Sequence, residues 1–374
     1  MKKQLSSIDL NYTLKELQAL KDSRIDKIYQ PEKEIIIFSL YKTNAGKELL
    51  RIDIGKAAYI MEEKEEYPEI LGFGQFLRKH LDGHFLVDIG QIEPERIVKL
   101  TFKTKNSTRY LYIEFIGKGN AILCNEHDVI MNALEQHDYS TRSIRPKLKY
   151  TYPVMPYNIF DLKENDLVAL SKNSKKDNIV VSLATELGLG GIYSEEVCLL
   201  SGIDKNITPK NINEKQVQAI LNSIKKILNK KIDANAVFDE NNNLTDFAPF
   251  KLKFYEDKKC KKQKFSTFNE AISFFYSQFK EVKETEFDKR MKNLQRIIEQ
   301  QKQTIEQLKK EGHEARQKGE LIYHNYSLIK EILEEINKAS KKYSWKEIKE
   351  KLKEHKIIKE VNDKERKLIV EIVD

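Results

Sequence analysis

A group of glycines in the middle of the chain is the first feature with a chemical consequence. The segment reads NIVVSLATELGLGGIYSEEVCLLSGID, and Gly188, Gly190 and Gly191 separate two apolar helical stretches. We predict two short helices joined by a tight turn, with Ser194 as the N-cap of the second helix. A helix start behind a glycine turn presents free backbone N–H groups, which suit a nucleic-acid phosphate. Such turns also serve as packing devices between helices, so both interpretations stay open.

Two basic clusters offer further positive charge to an anionic ligand. The first lies in YSTRSIRPKLKYTYP and contributes Arg142 and Arg145 beside tyrosines, whose rings can stack on bases. The second places lysines between positions 258 and 264, in a predicted hairpin turn. Phosphate neutralisation is the functional interpretation of each cluster, and a solubilising surface turn is the alternative.

Signatures of the better-known enzyme classes are missing from the sequence. It contains no GxxxxGK[ST] loop, no GxGxxG after a strand, no HExxH and no GxSxG. His80 and His84 are spaced like metal ligands, but no cysteine or carboxylate pair with metal-site spacing accompanies them. We therefore expect neither a classical catalytic site nor a bound metal or other cofactor.

Composition narrows the class of protein. The 374 residues are 40% hydrophobic and carry a net charge of +8, which favours folded domains and an anionic partner. Three widely separated cysteines fit a reducing compartment and argue against a disulfide framework. The sequence has no apolar run of signal-peptide length at its start and no segment of membrane-spanning length. We expect a cytoplasmic protein without a membrane partner.

An α+β domain is predicted around these groups, because short apolar strands alternate with turn signals. An amphipathic helix with Ser7 as its candidate cap is expected at 7–20, and a second helix at 73–81. A long amphipathic helix is expected at 214–230, and strands and a helix within 236–254 and 264–279. The strands of the main domain are expected at 24–30, 33–41, 48–54, 57–61, 85–89, 96–102, 110–115 and 120–123.

The last quarter of the chain predicts a coiled-coil arm, because apolar residues follow a four-three spacing between Phe287 and Ile336. Gly312 and Gly319 interrupt this seam, so a bend or a frayed segment is expected around them. No long heptad stretch follows the seam, and the final residues, KLIVEIVD, are typical of a strand. Either another chain covers the seam, which predicts self-association, or the chain is part of a longer protein.

Several ordered blocks resemble the NFACT family of ribosome-associated quality-control proteins, also called fibronectin-binding A-like, which includes RqcH and the nuclear export mediator factor. The resemblance covers essentially the whole chain, and several blocks in one order are more specific than any single block. The blocks are SSIDLNYTLKEL, FLRKHLDGHFLVDIGQIEPERIVKLTF, GKGNAILC, LGLGGIYSEEVCLLSGID, FSTFNEAISFFY and ARQKGELIYHNYSLI.

The resemblance implies a domain organisation. An N-terminal domain like that of formamidopyrimidine-DNA glycosylase is expected at 1–170, with a return segment at 233–283. A helix-hairpin-helix domain is expected between them, at 171–232. The coiled-coil arm is expected at 284–324, and its continuation with a helical tip at 325–374. Complete family members add a returning arm helix and a C-terminal RNA-binding domain, which this sequence does not contain.

The resemblance also implies a translation factor more than an enzyme. Family members bind a large ribosomal subunit obstructed by peptidyl-tRNA, recruit tRNA and promote template-free extension of the stalled peptide. Asp9 corresponds to an acidic family position, and Glu95-Arg96 to the family's Asp-Arg pair implicated in engaging tRNA. Arg142 and Arg145 are further tRNA-binding candidates.

The chemistry of these positions fits such a role. A guanidinium such as that of Arg96 can hold a phosphate or a base edge in a bidentate manner. Glu95 departs from the family pattern, because its extra methylene keeps the charge but changes its reach. The structural alternatives are an acidic residue in a helix first turn for Asp9, and a surface ion pair for Glu95-Arg96.

Three other classes of protein stay open. The implied fold suggests a DNA glycosylase, but Lys2 follows Met1 where that chemistry needs an N-terminal proline amine, and the zinc finger is missing. The family's older name suggests a surface adhesin, although no signal peptide or anchoring segment is evident. A plain coiled-coil scaffold would leave the glycine turn and the basic clusters unused.

Overall fold

A nine-stranded antiparallel sheet is the largest element of the computed structural model, which describes residues 4–61, 72–258, 260–278, 286–352, 355, 357–362 and 365–371. Its strands in chain order are β1 (Ser23–Glu32), β2 (Ile35–Lys42), β3 (Gly46–Asp53), β4 (Ala57–Met61), β5 (Phe85–Gln91), β6 (Ile97–Lys103), β7 (Thr108–Glu114), β8 (Asn120–Cys124) and β9 (Ile130–Ala133). Their order across the sheet is β4-β3-β2-β1-β5-β6-β7-β8-β9. The predicted strands are therefore present, with ends shifted by one or two residues, and the α+β prediction is confirmed.

Two helices belong to this part of the fold, α1 (Ser7–Leu17) and α2 (Gly72–Leu81). Ser6, and not the predicted Ser7, caps α1, since its Oγ accepts a hydrogen bond from the Asp9 backbone N–H at 3.1 Å. The last predicted turn of α1 is a separate 3₁₀ turn, Gln18–Leu20. Helix α1 packs against β5 and buries its apolar side chains in the main core.

Four helices follow two short paired strands, β10 (His137–Asp138) and β11 (Ser143–Ile144). The helices are α3 (Glu164–Asn173), α4 (Ile179–Thr185), α5 (Gly191–Ser201) and α6 (Glu214–Leu228). The prediction of Ser194 as the cap of α5 is wrong, because the helix begins three residues earlier, behind Gly190. Ser194 is buried in the first turn, where its hydroxyl donates to the Gly190 carbonyl oxygen at 2.8 Å.

A three-stranded sheet and two further helices complete the first unit of the chain. These elements are β12 (Asn235–Phe238), β13 (Leu244–Ala248), α7 (Lys253–Asp257), β14 (Lys261–Lys264) and α8 (Phe268–Gln278). The helix predicted within 264–279 thus begins at Phe268, because the lysine-rich residues before it pair with β12 as a strand. Lys259 of the second basic cluster, and position 279, lie outside the described residues.

The chain divides into two compact units, Met1–Lys280 and Glu281–Asp374. The second unit contains α9 (Glu286–His324), α10 (Tyr326–Ser340), α11 (Trp345–Lys351), β15 (Ile358–Asn362) and β16 (Lys367–Val370). The fraying expected around Gly312 and Gly319 is absent, since α9 continues through both glycines and the helical path breaks at Asn325. The strand predicted in KLIVEIVD is present as β16, which pairs with β15; residues 372–374 lie outside the described range.

The apolar seam of α9 is solvent-exposed within the described part of the chain. Leu294 is 54% exposed and Leu308 is 60% exposed, so no described residue covers them as a partner helix would. A small core lies further along, around Ile336, Ile348 and Ile358. No helix among the described residues is long and apolar enough to cross a membrane.

Candidate nucleic-acid site

Three segments that are distant in sequence meet at one cleft in the first unit. They are the start of α1, the loop before β6 and the turn between α4 and α5, and the cleft has a volume of about 480 Å³. The tertiary structure therefore brings together site residues that were predicted from separate sequence features. Those that line the cleft are Asp9, Glu95, Arg96, Gly188, Gly190 and Gly191.

The glycine turn has a backbone that only glycine adopts readily. Gly188 and Gly190 have φ angles of +78° and +77°. A Cβ atom on Gly188 would also lie 2.9 Å from the Met155 side chain. The sequence needs glycine here because the chain must reverse tightly and pass close to its neighbours.

The start of α5 is exposed to the cleft without a side-chain cap. Gly190 is the N-cap residue and provides no side-chain capping hydrogen bond. The first backbone N–H groups of a helix have no acceptor within the helix, and they carry partial positive charge from the helix dipole. Gly191 and Ile192 line the cleft at this position. The arrangement suits an anionic group such as a phosphate.

Asp9 connects α1 to α5 instead of pointing into solvent. Its side chain is fully buried, and Oδ1 accepts a hydrogen bond from the Tyr193 hydroxyl at 2.8 Å. Its Oδ2 accepts from the Ser6 backbone N–H at 2.8 Å, which completes a capping box. Burial raises the pKa of Tyr193 well above its usual value, and the charge of Asp9 acts in the same direction. Asp9 therefore fixes the position of the α5 start relative to α1.

Glu95 places a carboxylate oxygen without a protein partner at the cleft. Its side chain is only 6% exposed, and Oε1 has no hydrogen-bond partner among the described residues. Burial raises the pKa of Glu95, while a hydrogen bond from the Met155 backbone and the charges of Arg96 and Arg142 act to lower it. A buried acceptor without a partner is costly, so a ligand that donates to Oε1 would remove that cost.

Arg96 supplies the positive charge of the cleft. Its side chain is partly buried, and the guanidinium forms no hydrogen bond or ion pair with any described residue. Burial lowers the pKa of Arg96 and the charge of Glu95 raises it, but an arginine stays protonated at neutral pH. The structure thus leaves the Arg96 guanidinium without a hydrogen-bonded partner among the described residues, and it buries the unpartnered Glu95 Oε1 beside it, which differs from the surface ion pair that the sequence also allowed.

The loop that carries Glu95 and Arg96 is fixed on α1 by polar contacts. The Ser7 hydroxyl donates to the Pro94 carbonyl oxygen at 2.6 Å. The Gln91 side-chain amide donates to the Ser7 hydroxyl at 2.9 Å and to the Glu95 carbonyl oxygen at 3.0 Å. Sequence reasoning missed Gln91, because an amide near the end of a strand has no distinctive pattern. It also missed Tyr193, although this residue lies inside the glycine-rich block.

The first basic cluster does not line the cleft. Arg142 donates two hydrogen bonds to the Glu114 carboxylate, at 2.5 and 2.9 Å, and the Tyr150 hydroxyl donates to the same carboxylate at 2.7 Å. Glu114 is 2% exposed, so Arg142 neutralises a buried charge. Arg145 forms an exposed ion pair with Asp138 beside the β10–β11 pair.

The second basic cluster and the histidine pair lie elsewhere as well. Lys262 and Lys264 form ion pairs with Glu256 and Asp233, at 3.4 and 2.9 Å, and neither lysine lines the cleft. His84 Nε2 is 2.9 Å from the Ser107 hydroxyl oxygen. Across the described residues, no group of three or more histidine, cysteine or acidic side chains is arranged to hold a metal ion.

Comparison with known proteins identifies the class to which this fold and cleft belong. A family model described as NFACT N-terminal and middle domains matches residues 6–367, so the chain belongs to the NFACT family. This confirms the resemblance seen in the sequence. The matched range contains the α1 start, the Glu95-Arg96 pair, the glycine turn and most of the second unit.

Three individual proteins show how similar this chain is to known members of the family. The chain is 29% identical over its whole length to the archaeal Rqc2 homolog aRqcH of Methanocaldococcus jannaschii and covers 58% of that protein. It is 24% identical to the human ribosome quality control complex subunit NEMF, over 93% of this chain and 35% of that protein. With the Rqc2 homolog RqcH of Bacillus subtilis it shares 27% identity, over 51% of this chain and 36% of that protein. The chain therefore spans between a third and three fifths of these relatives.

Solved structures with the same fold include two bacterial proteins. The fibrinogen binding protein from Staphylococcus aureus matches 72% of this chain with a TM-score of 0.60 and 18% identity, over 98% of its own chain. The N-terminal part of the fibronectin/fibrinogen-binding protein from Streptococcus suis matches 74% of this chain with a TM-score of 0.58 and 20% identity, over its full chain. At such low identity, these matches establish a shared fold and nothing about ligands.

Proposed function

We propose that this chain is the tRNA-binding part of a ribosome-associated quality-control factor. The observation that carries the proposal is the meeting of Arg96, the unpartnered oxygen of Glu95 and the uncapped start of α5 in one cleft. The names of the archaeal, human and bacterial relatives support the process to which we assign it.

The cleft offers complementary groups to one nucleotide of a tRNA. The Arg96 guanidinium and the N–H groups at the start of α5 bind a phosphate, one through charge and geometry and the other through the helix dipole. Glu95 Oε1 accepts a hydrogen bond from a ribose 2′-hydroxyl or a base amino group that displaces the groups now covering this buried oxygen. Asp9 acts indirectly, because its hydrogen bond to Tyr193 holds the α5 start in place.

The wider role that we propose follows the family. The factor binds the large ribosomal subunit obstructed by peptidyl-tRNA in the cytoplasm and supports template-free C-terminal tailing of the stalled chain. Arg145 remains a candidate for an outer tRNA contact, whereas Arg142 is held by the buried Glu114 carboxylate; self-association through the exposed α9 seam remains a prediction. We further propose that the glycosylase-like domain, the helix-hairpin-helix domain and the coiled-coil arm have the boundaries predicted from the sequence.

Binding of purified tRNA to the protein and to an Arg96→Ala variant tests the central proposal. Loss of a hydrogen bond from a charged group costs about 1.5–3 kcal/mol, so we expect the tRNA affinity to fall about 10- to 100-fold. The free energy of unfolding of the variant should change little, because Arg96 forms no hydrogen bond or ion pair with a described residue, although loss of its charge should raise the pKa of the Glu95 carboxyl further. Co-sedimentation with large ribosomal subunits tests the wider role.

Arg296→Ala is the matched control, since Arg296 is an exposed arginine of α9 and forms no ion pair with a described residue. It removes the same charge, so its tRNA affinity should stay within about twofold of wild type if the charge acts through the cleft. The proposal would be wrong if Arg96→Ala and Arg296→Ala bound tRNA equally well. It would also be wrong if the wild-type protein preferred duplex DNA to tRNA.

A further inference from the structure

Aromatic and basic side chains alternate in a row across one end of the nine-stranded sheet. In the register of the sheet Lys47 pairs with Tyr41, Tyr41 with Arg24, Arg24 with Phe85, and Phe85 with Lys103. Residues paired directly across antiparallel strands lie on the same face of a sheet. We call these five residues the strand-end row.

The strand-end row faces away from the protein core. Tyr41 is 52% exposed and Phe85 is 45% exposed, whereas their chain neighbours Leu40 and Leu86 are buried. Because side chains alternate between the two faces of a strand, the buried leucines mark the core side and the row marks the outer side. Two large rings exposed in one row are therefore not explained by packing.

The rings and two of the cations in the row have no partner among the described residues. Neither Tyr41 nor Phe85 contacts another ring or a cation there, and Arg24 and Lys103 form no ion pair. Lys47 differs, because its ammonium lies 2.5 Å from the Asp26 carboxylate. The charge on both sides of Phe85 is thus available to an anionic partner.

A hollow of about 550 Å³ lies beside Phe85 and extends the positive surface. Lys103 and Lys105 line it, together with Asn106, and Lys105 likewise forms no ion pair with a described residue. Asp22 is the acidic side chain in its wall. Positive charge therefore dominates around the exposed ring.

We propose that the strand-end row is a binding platform for single-stranded RNA, separate from the cleft. Bases stack on the exposed rings of Tyr41 and Phe85, and phosphates lie against Arg24, Lys103 and Lys105. An apolar protein partner fits this surface poorly, because it would bury unpaired cations. The choice of RNA over DNA rests on the proposed function.

The spacing of the row requires an unpaired and extended strand. Tyr41 and Phe85 lie two strands apart, which places them about 10 Å from each other, with Arg24 between them. This exceeds the rise of about 3.4 Å between stacked bases, so the two rings hold bases that do not stack on each other. A duplex has no free base faces to offer and should bind the row weakly.

The row and the cleft can be tested separately because they lie at opposite ends of β6. Arg96 directly precedes this strand and Lys103 ends it, a path of about 20 Å along the strand. A substitution in the row should therefore leave the cleft intact, and a substitution in the cleft should leave the row intact.

Binding of a fluorescein-labelled twelve-nucleotide oligouridylate, measured by fluorescence anisotropy on the full chain, tests the proposal. Phe85→Ala should lower the affinity about tenfold, since base–aromatic stacking contributes about 1–3 kcal/mol per base. Phe85→Leu keeps an apolar side chain but removes the ring, so it should lose nearly as much. Lys103→Gln should reduce the slope of log affinity against log salt by about 0.7, as expected for one lost phosphate contact on a single strand.

Tyr326→Ala and Lys215→Gln are the matched controls, because both residues are exposed, distant in sequence from the row and without an ion pair to a described residue. Both controls should bind the oligouridylate like wild type. Unchanged affinity in Phe85→Ala, or full affinity in Phe85→Leu, would overturn the platform. Loss of tRNA binding in Arg96→Ala with no effect of Phe85→Ala on the oligouridylate would overturn the platform and leave the proposed function standing.

Discussion

Two arginines of the first unit have opposite situations in the folded protein. Arg96 at the cleft has no described partner, whereas Arg142 beside β11 is fully engaged by the buried Glu114 carboxylate. Both side chains are at least partly buried, so exposure alone does not distinguish them. The difference teaches that a charge is available to a ligand only where the tertiary structure provides no internal counter-charge.

The same comparison applies to the two carboxylates. Glu114 accepts hydrogen bonds from Arg142 and from the Tyr150 hydroxyl, whereas Glu95 keeps one oxygen without a partner. The polar groups around Glu114 therefore satisfy one another and stabilise the fold, whereas Glu95 at the cleft keeps an oxygen that the protein does not satisfy.

Removal of the engaged arginine should have the largest effect on stability. Arg142→Ala leaves Glu114 buried without its cationic partner, and breaking a buried ion pair on one side costs about 3–5 kcal/mol. Urea unfolding followed by circular dichroism measures the loss. The double variant Arg142→Met with Glu114→Gln removes both charges and should recover part of it. A loss below 1 kcal/mol in the single variant would place Arg142 in the same class as Arg96.

Substitution of Gly188 by alanine should have the second-largest effect on stability. Gly188→Ala forces a residue with a Cβ atom into a φ of +78° and within 2.9 Å of the flexible end of Met155, which together should cost about 1–2 kcal/mol. Gly46→Ala is the matched control, because Gly46 also has a positive φ, of +88°, but nothing lies within 4 Å of the added Cβ. Urea unfolding should show a smaller loss for the control. Equal losses would mean that close contact at the cleft contributes nothing.

The buried carboxyl of Glu95 should make a smaller, pH-dependent contribution to the free energy of unfolding. Its pKa is raised above the ordinary value of 4.5, so the folded state holds the proton more tightly than the unfolded state. The free energy of unfolding of the wild type therefore contains a stabilising contribution at low pH, which is lost as the pH rises from 4.5 through the raised pKa.

Glu95→Gln does not titrate, so the stability of the variant relative to wild type should increase between pH 5 and pH 8. Over the whole titration the increase is about 1.4 kcal/mol for each unit by which the pKa is raised, and the part above pH 5 is smaller because the loss begins near pH 4.5. Urea unfolding at both pH values gives the comparison. A difference that did not change with pH would show that the ligand-free cleft imposes no cost on the carboxylate.

Substitution of Arg145 should have the smallest effect on stability. Its ion pair with Asp138 is solvent-exposed, and such pairs contribute about 0–1 kcal/mol. Arg145→Ala should therefore unfold at nearly the wild-type urea concentration. If Arg145 is an outer tRNA contact, the salt dependence of tRNA affinity should become slightly weaker in the variant, and an unchanged salt slope would remove it from the interface.

Local pattern predicted most of the elements and several of the site residues. The strands of the main sheet follow from short apolar runs between turn signals, and the cleft glycines follow from the GLGG block. Errors concentrate where local signals compete. Ser194 carries a good capping side chain, yet the preceding glycine begins α5; Gly312 and Gly319 weaken a helix, yet α9 continues through them and breaks at Asn325.

The sequence by itself determined the family, the α+β class and the need for a tight turn at Gly188 and Gly190, because these depend on residue types and their order along the chain. Only the tertiary structure decided which charges are free. Arg96 and Arg142 are both arginines in basic or mixed segments, and nothing local distinguishes them. The distinction arises from distant residues, since β7 brings Glu114 to Arg142, while the Asp9 carboxylate that α1 brings to the cleft is used by Ser6 and the Tyr193 hydroxyl of α5. The free energy of a charge depends on neighbours that fold next to it, and chain order does not specify those neighbours.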